Sequence, residues 1–167
     1  MNRLAVVACA LALAVPASSR ADGCTAARVD VTGWPIVRSA SLPGFTLRLP
    51  RAYVRDAVGA PRDSAPSARW SAAARARFTM SHRAAGAGAS ALPASDGRVA
   101  YTRCEERVGV ATAVILSSGG TSPGTYVVLA RIRWPDGEEL DVRADAADRE
   151  HLDQLLAAVR TIRRAGA

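Results

Sequence analysis

Ser122 lies at the centre of Gly120-Thr121-Ser122-Pro123-Gly124, a Gly-x-Ser-x-Gly string. In α/β-type serine hydrolases such a string makes a sharp turn from a strand into a helix. The serine hydroxyl is held exposed, and the next residue donates its backbone N–H to the oxyanion. Here the next residue is Pro123, which has no N–H to give. Removing one such donor costs roughly 3 kcal/mol of transition-state stabilisation. Apolar alternation on both sides predicts a strand before the loop and another after it, with no helix following. The leading reading is therefore a hairpin turn built from Gly and Pro, and no catalytic residue is assigned. The order Ser122, then an acid, then His151 does suit a hydrolase, so a small serine hydrolase using Ser122 and His151 stands as the alternative.

Other side chains narrow the chemistry. All 22 basic residues are arginine. Without lysine there is no Schiff base, no P-loop lysine and no lysine general base. His82 and His151 are the two histidines; isolated from each other and from the cysteines, they form no zinc motif and read as ordinary surface residues. Asp136, Glu138, Glu139 and Asp141 lack the spacing of an EF-hand, and strand alternation puts Glu139 and Asp141 on one solvated face. The Gly86–Ser90 stretch lacks the strand-before, helix-after context of a phosphate loop. Neither a metal nor a cofactor is expected.

Arg69, Trp70, Arg75, Arg77, Phe78 and Arg83 interleave basic and aromatic residues, a pattern that suits single-stranded nucleic acid or an anionic glycan. Arginines facing water on a strand explain it more simply. Export, argued next, points away from nucleic acid. What remains is a surface of Arg69, Arg75, Arg77 and Arg83 facing an envelope protein or another anionic surface.

The start of the chain carries an export signal. Met1-Asn2-Arg3 is followed by an apolar run from Leu4 to Val15 and then by Pro16-Ala17-Ser18-Ser19-Arg20-Ala21. This is the pattern of a secretory signal peptide over residues 1–21, with cleavage after Ala21 or Ser19. The run is too short to span a bilayer, so no transmembrane segment remains after processing. Residues 22–167 then form a single domain that is secreted or periplasmic. Cys9 leaves with the signal. Cys24 and Cys104 remain, an even count that in an exported chain predicts a disulfide. Closing a loop of about 80 residues is worth about 4 kcal/mol in the chain-entropy account. Abundant alanine and arginine in place of lysine match a GC-rich bacterial genome. Charge is uneven: residues 22–104 carry 12 arginines and 5 acids, whereas residues 105–167 carry 8 arginines and 10 acids.

The elements that must position these residues follow from periodicity. Val29 and Val31 suggest a short first strand. Phe45, Leu47 and Leu49 alternate with polar residues between Pro43 and Pro50, giving a strand with one buried face. Residues 56–69 read as loop, and a strand is placed near Phe78–His82. The Gly/Ala-rich stretch 83–97 reads as a flexible loop. Four further strands follow, centred on the stretches 99–103, 110–117, 125–134 and 139–143, with a tight turn at Pro135-Asp136-Gly137. Asp145 is read as the N-cap of a closing helix whose stripe is Leu152, Leu155, Leu156, Val159 and Ile162, with Arg160, Arg163 and Arg164 at its negative end. Such a stripe must be buried, and the apolar face of the meander is the available surface. The expected class is α+β: an antiparallel β-meander with a C-terminal amphipathic helix on one face, or an α/β/α-like sandwich.

At "GFTLRLPRAY" and "HLDQLLAAVRTIR" the chain resembles exported proteins with the PsbP-like fold, which begin with a similar Phe-bearing strand running into Pro plus an aromatic and end in an amphipathic helix. The resemblance spans about residues 42–163. It implies an α/β/α-like sandwich and non-catalytic roles in protein assembly, and carries over no functional residues. The function expected is an exported, non-enzymatic envelope protein, partner-binding or structural. The alternatives are the serine hydrolase above and a carrier with an apolar cavity between helix and sheet. Oligomeric state is not legible.

Overall fold

The second half of the chain was read as a meander of adjacent strands, and in the computed structural model that meander is the larger part of one antiparallel sheet. Residues 29–56, 65–83, 92, 101–119 and 126–165 are described. The strands are β1 (Ile36–Ser39), β2 (Leu42–Arg48), β3 (Val54–Arg55), β4 (Ser67–Ala72), β5 (Ala76–Arg83), β6 (Thr102–Val108), β7 (Ala111–Ser118), β8 (Tyr126–Arg133) and β9 (Glu139–Ala146); helix α1 (Arg149–Arg160) and the short β10 (Arg163–Arg164) follow. Seven strands form the large sheet in the order β3-β4-β5-β9-β8-β7-β6, and β1-β2-β10 form a small one. The break in sequential order is β5, which pairs with β9 from Ala76↔Ala146 to Arg83↔Glu139.

The period-two pattern sets the faces. On β5, β8 and β9 the even-numbered residues are buried: Phe78, Met80, Val128, Ala130, Ile132, Leu140, Val142 and Ala144 are each at most 2% exposed. Helix α1 lies over β8 and β9 on this side. Its leucine-valine stripe is buried, and Ile162 just beyond it is fully buried. The small sheet shares the layer, because Phe45 of β2 meets both Trp134 (ring centroids 5.3 Å apart) and His82 (5.6 Å). The result is α+β in two layers, a large sheet covered on one face by one helix and a three-stranded sheet. Two polar clasps hold the layers. Arg160 at the helix end donates to Glu106 of edge strand β6 at 2.8 Å. Arg164 of β10 bonds Asp136 and reaches Glu138 at 3.2 Å in the β8–β9 turn.

That turn is the predicted one. Gly137 has φ +88°, a left-handed backbone that glycine adopts without strain. Several boundaries differ from the sequence reading. Val29 and Val31 are outside any strand, and the first strand begins at Ile36. β4 starts at Ser67, inside the stretch expected to be loop, and Trp70 and Phe78 meet edge-on at 6.3 Å across the β4–β5 pair. The helix is capped by Asp148, not Asp145. β9 continues to Ala146 because it is flanked on both sides there, by Ala76 and by Tyr126, and two ladders outweigh an early cap. Arg163 and Arg164 leave the helix to pair with Thr46 and Phe45 of β2. Thr161 makes the exit: its hydroxyl donates to Ala158 O at 2.7 Å and accepts from Arg48 N at 2.8 Å. No helix among the described residues is long and apolar enough to cross a membrane.

Candidate functional site

On β4, β5, β6, β8 and β9 the odd-numbered residues face away from the helix, and on β7 the even-numbered ones do. On this outer face β4 contributes Arg69, β5 Arg77 and Arg83, β9 Glu139, Asp141, Arg143 and Asp145, β8 Arg131 and Arg133, and β6 Arg103, Glu105 and Arg107. Among the described residues, eight arginines thus meet four carboxylates on this face, an excess of four positive charges. The carboxylates are all engaged. Arg131 Nε donates to Asp141 at 2.7 Å and lies 3.6 Å from Glu139, Arg133 pairs with Glu139, and Arg83 approaches Asp141 at 3.4 Å. Arg143 donates to Asp145 at 3.1 Å and Arg103 to Glu105 at 2.8 Å. The bond to Asp141, ahead of the charge of Glu139, raises the affinity of Arg131 for its proton.

Alternation and register build this lattice. Cross-strand neighbours on one face stand about 5 Å apart, within reach of an arginine fork. The sequence reading placed Glu139 among solvated acids. It is buried, 7% exposed, beneath the guanidinium groups of Arg131 and Arg133. The centre of the face is apolar and covered, with Leu116 opposite Leu129 and only 2% exposed. Charges flank that centre. Arg77, Arg103, Arg107, Arg133 and Arg143 are exposed, and Arg77 and Arg107 make no ion pair among the described residues.

Of the four arginines singled out from sequence, Arg69, Arg77 and Arg83 share this face. Arg75 is in the β4–β5 turn, where it pairs with Asp148 at 3.2 Å. The larger part of the lattice, Arg131, Arg133 and Arg143 with their acids, was missed as a unit. The signal was the charge alternation at residues 131–133 and 139–145, which becomes a surface only once β8 and β9 are set in register.

Neither histidine is a plain surface residue. His82 is half-buried beside Phe45, with Nε2 at 3.8 Å from Glu138. His151 is in the first turn of α1, and its Nδ1 lies 2.7 Å from Asp148 Oδ1. That carboxylate also accepts the backbone N–H of His151 at 2.9 Å, and these bonds hold the acid below the usual carboxylate range. Tyr53 is buried close by. Burial, then the charge of Asp148, pushes its hydroxyl above the ordinary tyrosine value. Ser122, Cys24 and nearly all of the loop predicted at 83–97 lie outside the described residues. Cys104 is half-buried on β6, packed against the core.

A recess of about 220 Å³ opens at one end of the outer face, between the β4–β5 turn and the end of β9. The interface between helix and sheet is filled by Leu152, Leu155, Leu156 and Val159, each at most 3% exposed. Among the described residues no group of three His, Cys, Asp or Glu side chains is placed to hold a metal. No family model matches the chain, and no curated protein matches it.

Proposed function

We propose that this is an exported envelope domain that binds an acidic partner through the outer face of its large sheet and catalyses no reaction. The observation that carries the reading is the imbalance on that face: four carboxylates are bonded within the lattice while eight arginines surround them, five of these exposed. An excess of guanidinium over carboxylate on one face attracts anions and speeds encounter with them. Poly-L-glutamate is the probe. It should bind the protein with an affinity that falls as salt is raised, and Arg77→Glu with Arg107→Glu should abolish binding. Binding unchanged by the double charge reversal ends the proposal; anionic vesicles bound in place of the polypeptide would redirect it to a lipid surface.

The same reading places a signal peptide at residues 1–21 and a Cys24–Cys104 disulfide. The even count of cysteines left after export supports the bond. A non-reduced peptide map of the secreted protein should contain the linked pair, and two free thiols there would refute it.

A second reading, the hydrolase, has one observation in its favour. Asp148 holds His151 by Nδ1, the orientation a carboxylate gives a general-base histidine. The same contact is explained by helix capping. Ester hydrolysis that disappears with both Ser122→Ala and His151→Ala would establish it.

A further inference from the structure

The recess at the β4–β5 turn is lined by Ser71, Arg75, Arg77, Asp145 and five alanines, Ala73 and Ala74 of the turn among them. We propose that it is an anchor site for a carboxylate-bearing side chain, an aspartate or glutamate presented by the acidic partner of the preceding section. The proposal rests on that reading for the identity of the partner, but the chemistry of the recess is argued from its own residues.

Charge marks the recess as an anion site. Arg77 faces Asp145 directly in the β5–β9 register, and cross-strand neighbours of opposite sign ordinarily pair. They do not pair here. Asp145 accepts two bonds from Arg143 on its own strand, at 3.1 and 3.4 Å. Arg77 is left exposed at the recess with no side-chain partner among the described residues. Arg75 lines the same space, turned toward Asp148 at 3.2 Å but with its side chain 69% exposed. Two guanidinium groups thus flank a hollow whose one carboxylate is already bonded from outside. Ser71 adds no free donor proton, because its hydroxyl donates to Asp56 at 2.9 Å.

The shape of the recess suits a side chain of this kind. Alanines at the ends of paired strands leave a space that larger side chains would close. Ala73 carries the turn with φ +50°, a left-handed backbone that costs a non-glycine residue about 1 kcal/mol. Strain of that kind persists where the surroundings fix it, and ligand sites are among those places. The turn it creates lines the recess. A volume of about 220 Å³ takes a short aliphatic stem with a carboxylate at its tip. The stem would lie against the alanine methyl groups, and the carboxylate would reach the Arg77 fork in the bidentate geometry that guanidinium favours.

Two probes separate this site from the wider face. Glutarate, a free dicarboxylate, is titrated against the protein by amide chemical shift, and hexaglutamate is titrated in parallel. Glutarate should shift the amides of residues 73–77 and 145–147 first. Arg77→Ala should weaken glutarate about tenfold, the loss of one charge-assisted hydrogen-bonded pair. Ala74→Leu, at an exposed turn position, fills the space without changing charge and should abolish glutarate binding. Arg38→Ala, exposed on β1 of the small sheet, should leave glutarate unchanged. If glutarate moves no amides around the recess, or if Arg77→Ala and Ala74→Leu bind it as the parent does, the anchor is wrong, even where hexaglutamate still binds the face. If hexaglutamate fails to bind while glutarate binds and responds to both substitutions, the recess stands and the face proposal falls.

Discussion

The two faces of β5, β8 and β9 are made by the same backbone and differ by one residue's step. One face holds Phe78, Met80, Ile132, Leu140 and Val142, sealed beneath the helix and small sheet. The other holds Arg77, Arg83, Arg131, Arg133, Glu139, Asp141, Arg143 and Asp145, arranged as a charged lattice. The apolar face owes its stability to area removed from water, about 25 cal/mol per Å². The charged face gains little from each exposed pair, between about 0 and 1 kcal/mol. The first face therefore accounts for the fold. Most of the second is free to serve another purpose, with Glu139 as the exception, because it is buried within it.

Substitutions at matched depth should separate the two. Phe78→Ala empties the most enclosed aromatic position of the sheet and should cost about 3–5 kcal/mol in denaturant unfolding. A cost below about 1 kcal/mol would show that the core is not where the buried rings place it. On the other face, Glu139→Ala leaves Arg131, whose side chain is only 14% exposed, with a lost partner. Arg131 keeps Asp141, so the loss should be about 1.5–3 kcal/mol, that of a hydrogen bond to a charged group. Arg103→Ala, which breaks a pair exposed by more than half on each side, should change stability by less than about 0.5 kcal/mol. If Glu139 and Arg103 gave equal effects, burial would not be what ranks the charges of this face.

What was legible in the sequence follows the same division. Strands with one buried face were found because their apolar period is two: Phe45, Leu47 and Leu49 are all buried, as are Val128, Ala130 and Ile132. The stretch 110–117 reads as buried on both faces; Ile115 and Leu116, pointing opposite ways, are both sealed, whereas Val110 and Thr112 at its start are exposed. The β4–β5 hairpin was harder, because Ala72–Ala76 has helical propensity and little side chain to reveal alternation. Tertiary pairing on both sides of β5 overrides that propensity. Asp145 looked like a cap because Asp, Ala and Ala precede a helical stripe. Only the pairing of β9 with two neighbours shows that the strand has not yet ended there. The charged lattice was illegible for a related reason: its members lie on five strands, and the sequence states no register.

The next effect in size comes from the turn that frames the recess. At Ala73 the folded chain holds a left-handed backbone that glycine adopts freely. Ala73→Gly removes about 1 kcal/mol of strain but loosens the unfolded chain by about 0.4–1 kcal/mol, a net gain of up to about 0.6 kcal/mol. A lower midpoint of thermal unfolding in the glycine variant would mean that the turn is unstrained, and would remove one of the two supports of the anchor site.

Acid should act selectively on the end of the molecule where Asp148 caps the helix. Its carboxyl is held below the ordinary range by the backbone N–H of His151, then by the His151 ring and Arg75. A carboxylate depressed in the folded state stabilises the fold above its unfolded value, near pH 4, and that contribution disappears as pH falls through the lower folded value. Asp136, held down chiefly by Arg164, follows the same sign at the other clasp. Between pH 5 and pH 2 the parent protein should lose thermal stability more steeply than Asp148→Asn, whose cap does not titrate. Parallel profiles would mean that the Asp148–His151 contact adds nothing to folding. The short bond would then need another explanation, and a histidine held ready for chemistry would be the first to test.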